Sequence, residues 1–204
     1  MTKIGLLVEC GRDGLEAVVC RKICELLAAE YKMQIELDIV PMDDKRKLLE
    51  GCGTVVANLL TQGNERVIIL WDERPAWPKF GEPLCWHNDR MQILAELDRA
   101  SVPSAEVHLV CIEREFESWL LFDNKMLAEV VSTDEHKKNV PKQKKPDKHK
   151  NPKGAMTTLI RKLSGKTYVD VEYARRFAKY LTELSRLRKC DTFRRFEERV
   201  VGTQ

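Results

Sequence analysis

The sequence predicts an α/β fold: a mainly parallel sheet of about four strands with helices on both faces, followed by a basic C-terminal helical extension. Two observations lead to this prediction. Short apolar runs alternate with amphipathic helical stretches through the first two thirds of the 204 residues, a pattern typical of strand–helix–strand units. The connections between these runs are also long enough for the crossovers that parallel strands need.

Four apolar runs are the predicted strands. They are Ile4–Val8, Gln34–Met42, Val67–Trp71 and Val107–Ile112. The second run alternates apolar and acidic side chains, which predicts an edge strand with one solvated face. The third is apolar throughout, as is typical of a central strand covered on both faces.

Helices are predicted between the strands because apolar side chains recur there at helical spacing. Asp43 or Asp44 is the predicted cap of the second helix. Prolines and a glycine between Glu73 and Pro83 exclude a regular element and predict a loop. The first predicted helix begins near residue 15, and the second ends near residue 62. The third spans about 86–100, and the fourth continues to about 131. Two further helices are predicted at about 155–164 and 171–188.

The two parts of the chain carry opposite net charge. Residues 1–123 contain 14 Lys and Arg against 22 Asp and Glu, whereas residues 124–204 contain 21 against 10. We divide the chain into an α/β domain (1–131), a lysine-rich linker or loop (132–154) and C-terminal helices (155–204) that pack on the domain. The basic part is suited to phosphates, but an ordinary solvated surface explains the charge equally well.

Residues 132–154, the lysine segment, contain three prolines and almost no apolar side chains. This composition predicts a mobile or extended segment that gains order only from a partner. The partner is either a nucleic acid backbone or an acidic protein surface; a plain linker is the remaining alternative. The lysines predicted to bind nucleic acid are Lys142, Lys144, Lys145, Lys148, Lys150 and Lys153.

Acidic side chains directly follow three of the predicted strands. They are Glu9, then Asp72 and Glu73, then Glu113, Glu115 and Glu117. In an open parallel sheet such positions meet at one edge, where ligands bind. Carboxylates held together repel one another unless a cation lies between them, and hard oxygen ligands suit Mg²⁺ or Mn²⁺. The sequence therefore predicts a metal-dependent phosphoryl-transfer site, with ordinary polar strand ends as the alternative.

Composition excludes several other classes. No apolar run approaches the roughly 20 residues needed to span a membrane, and the chain begins with a strand rather than a signal-peptide pattern. The seven cysteines are an odd number without a Cys-x-x-Cys pair, which favours reduced thiols and argues against zinc. These features predict a cytoplasmic protein.

Together these pieces resemble the Toprim fold, the catalytic domain shared by topoisomerases, primases and the OLD-family nucleases. In that fold a Glu follows the first strand in a short glycine-containing turn, as Glu9 does before Gly11 and Gly14. An Asp-x-Asp motif follows the third strand. Here Asp72 matches the first acid, and Arg74 replaces the second.

A narrower resemblance is to small bacterial Toprim-like proteins, which are often encoded beside ATPases. Three blocks of sequence carry it. They are residues 114–123 with their Glu-x-Glu-x-Trp motif, the Asn151-Pro152-Lys153 step, and residues 190–196. The resemblance therefore spans nearly the whole chain.

The resemblance implies Mg²⁺-dependent cleavage or transfer at a phosphodiester. Glu9 would be a metal ligand or the general acid/base, Asp72 a metal ligand, and Glu73 a candidate substitute for the missing acid. Glu115 and Glu117 would complete a first or second site. They face one metal centre only at an irregular strand-to-helix turn, since they lie on opposite faces of a strand and about 200° apart on a helix.

The leading hypothesis is a nuclease subunit, the effector of a bacterial anti-phage defence system that works with an ATPase. The alternative is a non-catalytic binding or regulatory subunit of an ATPase complex, which Arg74 favours because it removes one acid from the motif. A receiver-like signalling domain also has an acidic edge. That class requires a Lys after a strand of the sheet, and the sequence places none there.

Overall fold

The sheet has four parallel strands, as the sequence predicts. The computed structural model describes residues 1–74 and 86–202. Its strands are β1 (Thr2–Val8), β2 (Ile35–Pro41), β3 (Arg66–Asp72) and β4 (Val107–Ile112), in the order β2-β1-β3-β4. The second strand lies at an edge and the third inside the sheet, which confirms both predictions. Beyond Arg74, the predicted proline-rich loop falls outside the described residues.

Eight α-helices accompany the sheet in the described ranges. They are α1 (Leu15–Glu30), α2 (Lys45–Thr61), α3 (Trp86–Arg99), α4 (Glu117–Leu120), α5 (Asn124–Val131), α6 (Pro152–Ser164), α7 (Asp170–Tyr180) and α8 (Asp191–Val201). None of these helices is long and apolar enough to cross a membrane.

The helices cover both faces of the sheet. Alternate side chains of each strand point to opposite faces, so Leu6 and Ile68 join one core while Leu7 and Ile69 join the other. The first core contains α1 and the helices after β4, and the second contains α2 and α3. Gly53 allows α2 and α3 to approach closely, because a β-carbon there would lie 2.2 Å from the carbonyl oxygen of Glu96.

The helices that follow β4 differ from the predicted ones in three respects. The single helix predicted up to Val131 is two helices, because the Asp123 side chain accepts the amides of Lys125 and Met126 and starts α5 anew. The helix predicted over residues 171–188 ends at Tyr180. The chain then forms α8, which the sequence analysis missed although its buried side chains recur at helical spacing.

The lysine segment runs over the protein with little regular structure. It buries Val140 and Pro146 and contains one short 3₁₀ turn, Pro146–Lys148. The predicted boundary at residue 154 is wrong, because α6 already begins at Pro152. The cause is local: Asn151 accepts the amide of Gly154 at 2.7 Å and caps the helix, and Pro152 fits its first turn.

The strand order places a topological switch point between β1 and β3. From β1 the chain passes to β2 on one side, and it then crosses to β3 and β4 on the other side. In open α/β sheets the crevice beyond the carboxyl ends of two such strands is the usual place for a ligand. Glu9 directly follows β1 and Asp72 ends β3, so both residues border this crevice.

Candidate active site at the carboxyl edge of the sheet

Glu9 and Asp72 meet across the switch point. The backbone amide of Asp72 donates to Oε2 of Glu9 over 3.3 Å. Burial raises the pKa of Glu9 to about 8, although the ammonium group of Lys45 works in the opposite direction. A carboxyl group with this pKa keeps its proton through most of the neutral range and can exchange it there.

Asp72 is buried, with 6% of its surface exposed. Its Oδ2 accepts the backbone amide of Phe116 at 3.1 Å. Its Oδ1 is buried and accepts no hydrogen bond from any residue in the described ranges. Burial raises the pKa of Asp72 well above its usual value, and the nearby carboxyl groups of Glu9, Glu16 and Glu117 raise it further.

Glu117 reaches the same place from the first residue of α4. It is 4% exposed, and the hydroxyl of Tyr168 donates to its Oε1 over 3.0 Å. Burial raises the pKa of Glu117 to about 7. The Glu117 carboxyl group therefore raises the pKa of Asp72, although the two residues lie on different elements of the chain.

Glu16 is a fourth acid of this group, which the sequence analysis missed. It lies in the first turn of α1, and burial raises its pKa. Gly14 makes the approach feasible, because its amide closes a turn on the carbonyl of Gly11 and a β-carbon at Gly14 would lie 2.5 Å from Cys10. We refer to Glu9, Glu16, Asp72 and Glu117 as the inner cluster.

Three further acids that the sequence predicts for the site are held elsewhere; we call them the outer acids. Glu73 accepts the amide of Arg114 and pairs with its guanidinium. Glu113 pairs with Lys148 at 2.8 Å. Glu115 accepts the backbone amide of Lys153 at 2.8 Å, at the start of α6.

The turn after β4 explains why Glu115 and Glu117 part. Arg114 adopts φ +71°, a backbone conformation that is costly for a residue with a side chain and that recurs at functional sites. The sequence analysis required an irregular turn between β4 and α4 for both side chains to face one metal centre. The turn is irregular, but it separates the two side chains. It sends Glu117 to the inner cluster and Glu115 to the first turn of α6.

A buried ion pair lies directly behind the inner cluster. The ammonium group of Lys45 donates to the carbonyls of Asp72 at 2.7 Å and Glu73 at 3.0 Å, and it pairs with Asp89 at 2.8 Å. Lys45 and Asp89 are 4% and 5% exposed. This pair fixes the backbone that carries two of the acids, and it too was missed by the sequence analysis.

A shared position in the fold could have revealed Glu16, Lys45 and Asp89. Each lies in the first turn of a helix that follows a strand, and in parallel α/β folds such turns lie at the carboxyl edge of the sheet. The ordinary interpretation of charged residues there is an interaction with the helix end. Lys45 and Asp89 are buried and Glu16 is half-buried, and such burial is difficult to infer from the sequence.

The six lysines predicted to bind nucleic acid fall into two groups. Lys148 pairs with Glu113, and the ammonium group of Lys153 pairs with Asp170 at 2.9 Å. The other four lysines make no ion pair with any residue that the structure describes. They are Lys142, Lys144, Lys145 and Lys150.

The three blocks that carry the narrower resemblance meet beside the inner cluster. The indole of Trp119 donates to the hydroxyl of Thr192 at 2.8 Å and lies edge-on to the ring of Phe193, 5.2 Å between centroids. Asn151 caps α6, whose Lys153 amide binds Glu115. The blocks therefore form one packed unit that supports the turn carrying Glu117.

The inner cluster offers a suitable donor set for a hard divalent cation, but its side chains are not yet arranged around one. Among residues 1–74 and 86–202, no group of three or more His, Cys, Asp or Glu side chains is placed to hold a metal ion. A divalent cation would give the unpartnered Oδ1 of Asp72 a partner and would relieve the repulsion that raises the pKa of Asp72. The residues fit the group in chemistry.

The fold and the acids at the carboxyl edge of the sheet define an α/β protein with buried carboxylates at the switch point of a parallel sheet. The chain belongs to the family described as Domain of unknown function (DUF4276), whose model matches residues 18–201. Asp72 and Glu117 lie within the matched residues, whereas Glu9 and Glu16 precede them. Neither a comparison with curated proteins nor one with solved structures finds a match.

Proposed function

We propose that this protein is a Toprim-like nuclease that hydrolyses phosphodiester bonds with the help of Mg²⁺ or Mn²⁺. The observation that carries the proposal is Asp72: a buried carboxylate at the switch point, with one unpartnered oxygen and three further carboxyl groups close enough to raise its pKa. Crowded, buried acids are costly to stability, and they are retained most often where function needs them.

Asp72, Glu9 and Glu117 would hold the cation. When bound, the cation would lower the pKa of a water molecule and offset the negative charge that develops on the phosphate. Of the other predicted ligands, Glu73 and Glu115 already have partners. Their recruitment would require the loss of those contacts.

The chain's own residues have three tasks in this proposal. Glu9 would give up its proton when the cation binds, as its pKa of about 8 allows near neutral pH. Lys45 fixes the carbonyls of Asp72 and Glu73 and keeps the end of β3 in place. Arg74 supplies a cation where the resembling fold has a second acid, and its buried Nε has no partner in the described ranges.

The proposed substrate is nucleic acid, and the proposed setting is the cytoplasm. A polyanion is repelled by an acidic edge, so positive charge elsewhere on the chain must offset that repulsion. Four lysines of the lysine segment without ion pairs in the described structure meet this need. By its resemblance, the protein would act as the effector subunit of an anti-phage system beside an ATPase.

A second candidate is a non-catalytic regulatory subunit of an ATPase complex. Two observations favour it: Arg74 replaces an acid, and no group of three ligands is already arranged around a cation in the described ranges. In that case the inner cluster would be a remnant that binds no cation, and the lysine segment would contact the ATPase.

One experiment separates the candidates. The purified protein is incubated with plasmid DNA and with RNA in Mg²⁺, Mn²⁺ or EDTA, alone and with any ATPase encoded next to it. A nuclease cleaves at least one substrate with a metal and none in EDTA, and Asp72→Asn abolishes the cleavage. A parent protein that never cleaves, even with the ATPase present, establishes the regulatory candidate instead.

A further inference from the structure

A pocket of about 370 Å³ lies between β3, β4, α3 and α8. Trp71, Leu109 and Cys111 form its apolar wall, and Arg90, Thr192 and Arg195 contribute polar groups. Glu73 and Glu113 also border it. Trp71 and Glu73 are the chain neighbours of Asp72, and adjacent strand residues point to opposite faces of the sheet, so the pocket and the inner cluster lie on opposite sides of the end of β3.

The charges of the pocket favour an anion. Its two acids are already neutralised, since Glu73 pairs with Arg114 and Glu113 with Lys148. Its two arginines, Arg90 and Arg195, are exposed and have no ion pair with any residue in the described ranges. Guanidinium groups bind phosphate oxygens through paired hydrogen bonds, so two uncompensated arginines suit a phosphate.

The pocket is larger than a phosphate group, and part of its lining is apolar. A volume of about 370 Å³ exceeds what a phosphate group fills and lies within the range of small-molecule sites. The Trp71 side chain, 2% exposed, has its Nε1 buried without a hydrogen-bond partner among the described residues. A buried donor of this kind costs stability until an acceptor reaches it.

We propose that this pocket binds one nucleotide of a nucleic acid strand, with its phosphate on Arg90 and Arg195 and its base against the wall of Trp71, Leu109 and Cys111. The choice of a nucleotide over another phosphorylated molecule rests on the proposed function. The strand would then continue around the end of β3 to Asp72, and the nucleotide in the pocket would hold it in register.

The test is a binding measurement in EDTA, which needs no cleavage. The probes are 5′-AMP, adenosine, inorganic phosphate and a 5′-phosphorylated trinucleotide, each titrated calorimetrically into the full chain. We expect 5′-AMP to bind at least about tenfold more tightly than adenosine or phosphate, a difference of about 1.4 kcal/mol, and the trinucleotide to bind at least as tightly as 5′-AMP. Equal binding of phosphate and 5′-AMP, or no binding of either nucleotide, overturns the proposal. A preference for 5′-AMP over the trinucleotide also overturns it, because the site would then take a free nucleotide.

The variant for this test replaces Arg90 and Arg195 together by Gln. Both side chains are exposed, so the protein should fold, and circular dichroism checks this. Arg194→Gln is the matched control. Arg194 is exposed on α8, next to Arg195, but does not line the pocket. We expect the double variant to lose at least tenfold in affinity for 5′-AMP and the control to keep it; equal affinities refute the site.

The two proposals fail separately. A protein that never cleaves but binds 5′-AMP through both arginines keeps the pocket and loses the nuclease. A protein that cleaves at the parental rate, and binds nucleotides unchanged, with both arginines replaced keeps the nuclease and loses the pocket.

Discussion

Two members of the inner cluster, Asp72 and Glu117, lie within a few residues of outer acids in the sequence, yet the two groups differ in burial and in pairing. Each outer acid has a partner: a guanidinium, an ammonium group or a backbone amide. Glu9 and Asp72 of the inner cluster accept backbone amides and Glu117 accepts a tyrosine hydroxyl, and neighbouring carboxyl groups raise the pKa of Glu9 and of Asp72. The acids near the carboxyl edge of the sheet therefore have two different roles. The outer ones fasten the turn and the lysine segment, and the inner ones remain available for protons and cations.

The sharpest test of this comparison replaces one acid from each group. Asp72→Asn should reduce metal-dependent cleavage by about 10³-fold or more, the size of loss expected when a transition-state interaction is removed. Glu9→Gln and Glu117→Gln should have similar effects. The matched controls are Glu73→Gln and Glu115→Gln, which should cost less than about tenfold. Cleavage rates with Mg²⁺ measure both, and equal losses in the two groups would erase the distinction.

The same variants should differ in stability without metal. Asp72→Asn keeps an acceptor for the Phe116 amide and removes a repelled charge, so its melting temperature in EDTA should equal or exceed that of the parent. A clear decrease in melting temperature would mean that Asp72 is chiefly structural. This measurement therefore separates loss of activity from loss of fold.

The next largest effect concerns the ion pair behind the inner cluster. Lys45→Met leaves Asp89 buried without its ammonium partner, which should lower the free energy of unfolding by about 3–5 kcal/mol. Lys47→Met, at an exposed lysine two residues away, should change it by less than about 0.5 kcal/mol. Urea unfolding measures both. The double variant Lys45→Met/Asp89→Leu should recover part of the loss, and no recovery would argue against the pair.

The pH dependence of stability should show the inner cluster directly. Glu9 and Glu117 have pKa values of about 8 and about 7 in the folded protein, well above the ordinary value of a glutamate. The folded state therefore holds more protons than the unfolded state across this window, and stability decreases as pH rises from about 5 to 8. Without metal we expect the free energy of unfolding to fall by about 2 kcal/mol or more.

Two variants isolate the cause of that slope. Glu9→Gln should flatten it, while Glu113→Gln should leave it unchanged because Glu113 is paired with Lys148 at the surface. Mg²⁺ or Mn²⁺ should bind more tightly as pH rises and should release protons, which calorimetry in buffers of different ionisation enthalpy detects. A parent protein whose stability is flat or rises between pH 5 and 8 would contradict the assignment of raised pKa values.

The main frame of the fold could be predicted from the sequence because apolar periodicity is local. The all-apolar β3 and the alternating β2 indicated their own places in the sheet. The C-terminal helices were harder to delimit, since their ends depend on single contacts such as the Asn151 side chain on the Gly154 amide. α3 also shows the limit of periodicity, because its Met91 is apolar yet 51% exposed, while Ile93 is fully buried.

The candidate site was predictable only in part. The position after a strand indicated Glu9, Asp72 and Glu117, but it equally indicated the outer acids, whose partners come from distant segments such as Lys148. Glu16 does not directly follow a strand but lies in the first turn of α1. What distinguishes the two groups is burial and pairing across the fold, and neither is a property of the local sequence.

The smallest expected effects lie in the lysine segment. There the comparison is between lysines that have an acidic partner and lysines that have none in the described structure. Four of its lysines, Lys142, Lys144, Lys145 and Lys150, have no ion pair in the described structure, whereas Lys148 neutralises Glu113. Each lysine that contacts a phosphate contributes just under one unit to the slope of log affinity against log salt concentration. Replacing the four by Gln should therefore flatten this slope by up to about three to four units.

The matched control is Lys148→Gln. It should change the slope by well under one unit, because Lys148 already has an anionic partner that the substitution would release. Fluorescence anisotropy with a labelled oligonucleotide in EDTA, across a range of KCl concentrations, measures both. If the four-lysine variant keeps the parental slope but no longer associates with the ATPase, the lysine segment binds protein rather than nucleic acid. The acidic edge would then need another source of positive charge to accept a polyanion, and Arg90 and Arg195 would be the first residues to test.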